Sequence, residues 1–258
     1  MNNFSVIGAG DLGTRLTHAL VEKGYGLKYI YKKSKYNGFA GLVTGDMGLM
    51  VRESDFIFIS TRESQIAEAA RWAAASDPAG KVFFHTSNSL TSDELSLLKE
   101  KGALTASFSP LQTFAGNDEN SIGSDLFKGV YFLAEGDEPA LRLAREITVR
   151  LGARLLVVEK SKKIYFHIAA VCASNFLISI LKLSENQLKR AGEFDMNVLL
   201  PLIRQTVNNV ETKGVDASLT GPVRRKEMGI INKHLDHLEG EDAALYKALT
   251  DFLFHSFP

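Results

Sequence analysis

Six residues near the N-terminus, Gly8-Ala9-Gly10-Asp11-Leu12-Gly13, restrict what this chain can fold into more than any others. An apolar run at residues 4–7 precedes them, and Leu12, Leu16, Ala19 and Leu20 follow at helical spacing. Glycines set between a strand and a helix permit a tight turn, close backbone approach to a pyrophosphate and close helix–strand packing. The helix N-terminus adds unpaired N–H groups and a partial positive charge. Gly8, Gly10, Asp11, Leu12 and Gly13 are therefore candidates to hold a dinucleotide. The plainer alternative is a glycine turn in an α/β protein with no cofactor.

The rest of the first 160 residues supports the first reading. Apolar strand-like runs at residues 27–31, 56–60, 82–85, 103–108, 130–133 and 155–158 alternate with helical stripes such as Ile66/Ala69/Ala70/Ala73 and Leu141/Ala144/Ile147/Leu151. Residues 32–48, with four glycines, read as loop. Alternation of this kind predicts an α/β fold: a Rossmann-type, doubly wound, mainly parallel sheet covered on both faces. After Lys160 the strands stop and helical periodicity takes over, as in Met196/Leu199/Ile203/Val207 and Leu245/Leu249/Phe252. The expected organisation is a nucleotide-binding domain at 1–160 and an all-helical domain at 161–258.

Where the second strand ends, NAD-specific sites commonly carry an acid for the ribose hydroxyls. This chain has Lys32, Lys33 and Ser34 there. Two ammonium groups and a hydroxyl suit a 2′-phosphate, so the expected cofactor is NADP. Ligands of such sheets lie beyond the carboxyl ends of the strands. Polar clusters follow three of them: Ser60-Thr61-Arg62, then Thr86-Ser87-Asn88 after His85, and Ser109 with Gln112 and Thr113. Ser60, Thr61, Arg62 and Thr86 are assigned to the cofactor. Ser87, Asn88, Ser109, Gln112 and Thr113 are assigned to the substrate.

Lys163, His167, Val171 and Asn175 are spaced by four and predict one face of a helix. His167 suits a proton donor, Asn175 an orienting amide, and Lys163 a group that holds an anion or tunes the histidine. Spacing alone leaves open a core histidine and a bridging asparagine.

The N-terminal glycines, His85-Thr86-Ser87-Asn88-Ser89-Leu90, Ser109-Pro110-Leu111-Gln112-Thr113-Phe114 and Thr220-Gly221-Pro222 together resemble one bacterial family. It pairs a Rossmann-like domain with a C-terminal helical domain of unassigned function and is associated with NADP oxidoreductase activity. The resemblance extends over nearly the whole chain. It implies kinship with ketopantoate reductase, 6-phosphogluconate dehydrogenase, pyrroline-5-carboxylate reductase and deazaflavin-dependent NADP reductases. Compared with ketopantoate reductase, His167 stands at the catalytic lysine, Val171 at a first asparagine, and only Asn175 agrees. The implied activity is hydride transfer between NADP and a small polar substrate, an oxo acid or imine, in an interdomain cleft. The competing expectation is an NADP-binding sensor without chemistry.

Composition narrows the partners. Thirty Lys plus Arg balance thirty Asp plus Glu over 258 residues, which gives no basic excess for nucleic acid. The most hydrophobic stretch, residues 164–183, carries His167, Ser174, Asn175, Ser179 and Lys182, polar side chains that a bilayer would resist, so no membrane partner is expected. The sole cysteine, Cys172, has apolar neighbours and is expected to be a buried thiol. His234 and His237 lack further ligands, so no metal is expected. The Thr220–Arg225 turn reads equally as an anion site or a plain helix start. A cytoplasmic homodimer, joined through the C-terminal helices, completes the expectation.

Overall fold

The computed structural model describes residues 2–31, 43–114, 123–192 and 194–257. The chain divides into two compact units, Met1–Ser174 and Asn175–Pro258. The described residues of the first form eight strands: β1 (Asn3–Ile7), β2 (Gly26–Tyr31), β3 (Val43–Thr44), β4 (Phe56–Ile59), β5 (Val82–His85), β6 (Leu104–Pro110), β7 (Tyr131–Gly136) and β8 (Arg154–Val157). They lie in the order β3-β2-β1-β4-β5-β6-β7-β8, and every neighbouring pair is parallel except β6 with β7. The α/β, mainly parallel architecture is the one the alternation predicts. The order reverses between β1 and β4, and such a switch point opens a crevice at the strand carboxyl ends.

Strand side chains alternate between two cores. Phe56 and Phe58 of β4 face one way with Phe4, Phe84, Phe108 and Phe132. Ile57 and Ile59 face the other way with Ile7 and Phe83. On the aromatic face, α1 (Asp11–Glu22) contributes Leu16, Ala19 and Leu20, and α5 (Glu138–Arg150) contributes Ala144 and Ile147. Phe58 stacks on Phe84 at 5.2 Å between ring centroids, and Phe108 on Phe132 at 4.7 Å. The opposite face is covered by α2 (Met47–Glu53), by α3 (Ile66–Ala74) through its alanines, and by Leu98 of α4 (Ser96–Glu100).

Residues 43–48, read from the sequence as loop, hold β3 and the start of α2. Gly48 lies inside that helix, whose first turn is fixed by Asp46 accepting from the Leu49 N–H at 2.9 Å. An N-cap outweighs one glycine.

Beyond β8, α6 (Lys163–Val171) passes through a π-helical turn, Cys172–Phe176, into α7 (Leu177–Gly192). The strands end near Lys160 as expected, yet the first compact unit continues to Ser174. The reason is Lys163, whose fully buried side chain is bonded into that unit. The second unit holds α7, α8 (Leu200–Lys213), α9 (Gly221–Arg224), α10 (Met228–Leu235) and α11 (Gly240–Ser256). Within it, Asp242 accepts from Asn186 at 3.2 Å and Gln187 at 2.8 Å.

Candidate active site

The glycine turn has the geometry that a dinucleotide requires. Gly8 has φ +93°, and a Cβ there would sit 2.7 Å from the Ser60 carbonyl oxygen. A Cβ on Gly13 would meet the Gly8 carbonyl at 2.4 Å. These two glycines hold α1 tightly against β1 and β4. Gly10 differs: nothing described lies within 4 Å of where its Cβ would be. It precedes α1 without a side-chain cap, so the first amides of that helix, from Asp11 and Leu12 onward, remain open to an anion. A small-residue cradle beneath an uncapped helix end fits a pyrophosphate. Ser60 lies opposite, accepting from Thr86 Oγ1 at 3.1 Å, and Thr61 and the exposed Arg62 follow. Lys32, Lys33 and Ser34 fall outside the described residues.

Beyond β5 lies a polar network. Lys163 donates to the carbonyls of Ser87 (2.8 Å) and Leu90 and to the hydroxyl of Ser107. Burial lowers its pKa to about 8, against which Glu135 and Glu63 pull upward. All three protons of the ammonium are engaged. The expectation that Lys163 holds an anion is thus corrected: it clasps the loop after β5 to α6 because two carbonyls there need donors.

His85 is also fully buried. Its Nδ1 accepts from the Ser87 N–H at 3.2 Å, and its Nε2 contacts the Thr91 carbonyl at 2.9 Å. That pairing assigns the proton to Nε2. Burial, then the Lys163 charge, lowers its pKa to about 3, so the ring is neutral. Glu135 accepts from the Ser92 N–H at 2.6 Å and its hydroxyl at 2.8 Å. The substrate candidates Asn88 and Ser109 face each other: Ser109 Oγ donates to Asn88 Oδ1 at 2.7 Å, and Asn88 donates to the Pro110 carbonyl at 3.1 Å. Gln112 and Thr113 are exposed, with Gln112 accepting from the Thr113 N–H at 3.0 Å.

Glu63, in the turn after β4, escaped the sequence reading. Ser87 and Ser89 both donate to its Oε1, Ser89 at 2.6 Å. Burial raises its pKa, but those hydroxyls and the nearby His167 outweigh it, and the net shift is downward. Glu135 also went unread, although a lone acid inside the apolar run of β7 was a signal. His167 is half-buried, one turn beyond Lys163. In an α-helix, four-residue spacing drifts by about 40° per step. The wider π turn at Cys172–Phe176 offsets part of that drift before Asn175, which is exposed. Cys172 is exposed as well, contrary to expectation, because α6 turns its apolar residues outward. In the second unit, Arg225 pairs with Glu227 at 2.8 and 3.0 Å at the end of the four-residue helix α9, which favours the plain helix start.

Comparison with known proteins follows the same outline. Residues 130–252 match a family model described as a domain of unknown function, DUF2520. The match begins at β7, so it includes the last two strands as well as the helices. No curated protein matches the sequence. A Bacteroides fragilis structure provisionally named an NADP oxidoreductase is similar over 98% of both chains, with TM-score 0.83 and 23% identity. Protein TM1727 from Thermotoga maritima is similar over 98% of both, with TM-score 0.73 and 22% identity. Plasmodium falciparum pyrroline carboxylate reductase, solved with NADP bound, covers 98% of this chain and 97% of its own, with TM-score 0.64 and 11% identity. These likenesses show the fold. It is a Rossmann-like unit followed by helices.

Proposed function

We propose that the protein is an NADP-dependent oxidoreductase acting on a small polar carbonyl or imine. The observation that carries this reading is the bare amide cradle of Gly8, Gly10 and α1 at the switch point between β1 and β4. The similar structures include one with NADP bound and an Aspergillus terreus reductive aminase with NADPH, which supports the same cofactor class. Bound there, the reduced nucleotide supplies a hydride. The backbone amides of Asp11 and Leu12 would neutralise the pyrophosphate, and Lys32, Lys33 and Ser34 a 2′-phosphate. His167 would donate the proton to the substrate oxygen or nitrogen while Asn175 orients it. Ser87, Asn88 and Ser109, already bonded to one another's loops, shape the substrate side rather than react.

A second copy of the chain would cover the helical unit, where Ile178 is 65% exposed and Leu202 63%. The 33-residue helical run Lys160–Gly192 is long and apolar enough to cross a membrane by length and composition. The clasp of Lys163, with that second copy covering the apolar residues, would account for it without a bilayer. The exposed thiol of Cys172 suits a reducing cytoplasm.

Incubation with NADPH and a panel of 2-oxo acids and cyclic imines tests the activity. His167→Ala is expected to lower single-turnover reduction by about 10²–10⁴-fold while leaving NADPH affinity nearly unchanged. A destabilised but fully active His167→Ala protein would return the histidine to a packing role.

A further inference from the structure

We infer that Glu63 is a positioning residue, which holds the loop after β5 in the shape that presents the Asn88 carboxamide to a substrate. The inference rests on the proposed oxidoreductase reading and adds a residue to the same site. Every contact it uses lies in the first unit. The loop, residues 87–90, is held from four sides. Its Ser87 N–H donates to His85 Nδ1 at 3.2 Å. Lys163 donates to the Ser87 carbonyl at 2.8 Å and to that of Leu90. Asn88 meets Ser109 and Pro110 at the end of β6. The fourth holder is Glu63, whose Oε1 accepts from the hydroxyls of Ser87 and, at 2.6 Å, of Ser89. His85, Lys163, Ser109 and Pro110 are buried, whereas Glu63 is exposed. Its removal therefore tests the loop without opening the core.

What makes Glu63 decisive is how Ser87 uses its hydroxyl. Ser87 Oγ accepts from the N–H groups of Ser89 at 3.1 Å and Leu90 at 3.0 Å, which closes a tight turn around Asn88. With both lone pairs used, the hydroxyl proton is left to donate, and the Glu63 carboxylate receives it. Ser89 adds its own hydroxyl and its backbone N–H to the same carboxylate. Asn88 stands between these two serines, so its backbone is fixed on both sides. Its side chain is oriented by β6. The Pro110 carbonyl can only accept, so Nδ2 faces it at 3.1 Å, and Oδ1 takes the Ser109 hydroxyl at 2.7 Å. Among the described residues, these contacts leave one N–H and one lone pair of the amide for a polar substrate. Glu63 thus acts through the serines and Asn88, not on the reacting atoms.

Hydrogen exchange read by ¹⁵N NMR on the full chain tests this without turnover. The probes are the backbone amides of Ser89 and Leu90 and the side-chain amide of Asn88, the last assigned by its loss in Asn88→Asp. Glu63→Ala is expected to speed exchange at all three by about tenfold, with the melting temperature nearly unchanged. Glu63→Gln keeps an acceptor oxygen in place and is expected to restore slow exchange. Equal exchange in all three proteins would overturn the inference. So would a lowered melting temperature with exchange raised evenly across the sheet, which marks a structural glutamate. With NADPH and whichever 2-oxo acid or cyclic imine is reduced, Glu63→Ala should raise the KM for that compound by about tenfold and leave NADPH affinity within about twofold. An unchanged KM beside a loosened loop would also overturn it. Failure of the unsubstituted protein to bind NADPH would count against the oxidoreductase reading, and the exchange comparison would still decide whether Glu63 holds Asn88.

Discussion

The two units handle their side chains in opposite ways. In the sheet unit even a lysine, a histidine and a glutamate are buried, and each has its hydrogen bonds met by the same chain. In the helical unit, Ile231 and Thr250 are the only buried residues among those described, while Ile178, Leu202, Val207 and Phe252 are each more than half exposed. Part of that unit's apolar surface lines an open groove of about 610 Å³ between α7, α9 and α11, with Leu183, Leu188, Leu199 and Leu249 on its walls. A sheet with helices on both faces completes its own core. A handful of helices with apolar stripes on several sides does not, and association is the usual remedy.

The sharpest probe of the closed unit is its glycines, and the largest effect is expected there. Gly13→Ala sets a Cβ 2.4 Å from the Gly8 carbonyl, which is backbone and cannot swing aside. Loss of folding stability of about 4 kcal/mol or more is expected, read as a collapse of the melting temperature. Gly10→Ala has open space, so its melting temperature should hold while NADPH affinity falls by about tenfold or more. If both variants lose stability alike, the glycines serve only the fold.

Acid tests the same unit more gently. The His85 pKa is lowered to about 3 from 6.5, because burial and then the Lys163 charge disfavour its proton. The unfolded chain takes up that proton below pH 6.5 and the folded chain does not. Stability is therefore full above 6.5 and is lost as pH falls toward 3. The expected loss from this residue by pH 5 is about 2 kcal/mol, seen as a steeper fall in melting temperature than in His85→Gln. Lys163, lowered to about 8 from 10.5, acts in another window: stability should rise with pH between those values, as the unfolded chain holds the extra proton. Parallel pH curves for wild type and His85→Gln would contradict the buried neutral imidazole.

How legible all this was in the sequence differs by region for a physical reason. Period-two alternation and glycine turns are local signals, so β1, α1 and β5 are read nearly to the residue. Region 43–48 misled because an Asp46 cap and a two-residue strand are weaker than four glycines. The clasp of Lys163 was hidden because its partners, Ser87, Leu90 and Ser107, are more than fifty residues away and mostly backbone. Helical spacing placed Lys163 beside His167 but could not say which of them faced carbonyls. Glu63 went unread for the same reason: its meaning depends on serines beyond the next strand.

Breaking the contrast from the helical side calls for a charge on the exposed stripe. Leu202→Glu changes a side chain that touches little of its own unit, so the monomer should melt almost as before. In a symmetric dimer the substitution appears twice. If a second copy covers α8, the dimer dissociation constant should rise by about 30-fold, or roughly 2 kcal/mol, by sedimentation. A chain that is already monomeric at tens of micromolar would show that something else covers these helices.

The smallest expected effect concerns cofactor choice, and it bears on how far the sheet unit's chemistry reaches beyond its core. On the proposed reading the glycine cradle would hold the pyrophosphate, which NADH and NADPH share, so it could not discriminate between them. Discrimination would then be expected from the segment after β2, where the sequence has Lys32 and Lys33 and no acid beside them. Charge-assisted contacts contribute about 1.5–3 kcal/mol each when sheltered and much less when solvated. A preference for NADPH of about tenfold is the size expected of two such contacts under solvent screening. Salt should erode that preference more than it erodes the binding of either cofactor to the helix dipole, because screening acts most on exposed charges. Lys32→Glu combined with Lys33→Ala should narrow the gap mainly by weakening NADPH, leaving NADH within about twofold, since NADH has no 2′-phosphate to lose. Equal affinities for the two cofactors in the unsubstituted protein at low salt would remove the lysines from the site and leave the cradle as a general nucleotide holder.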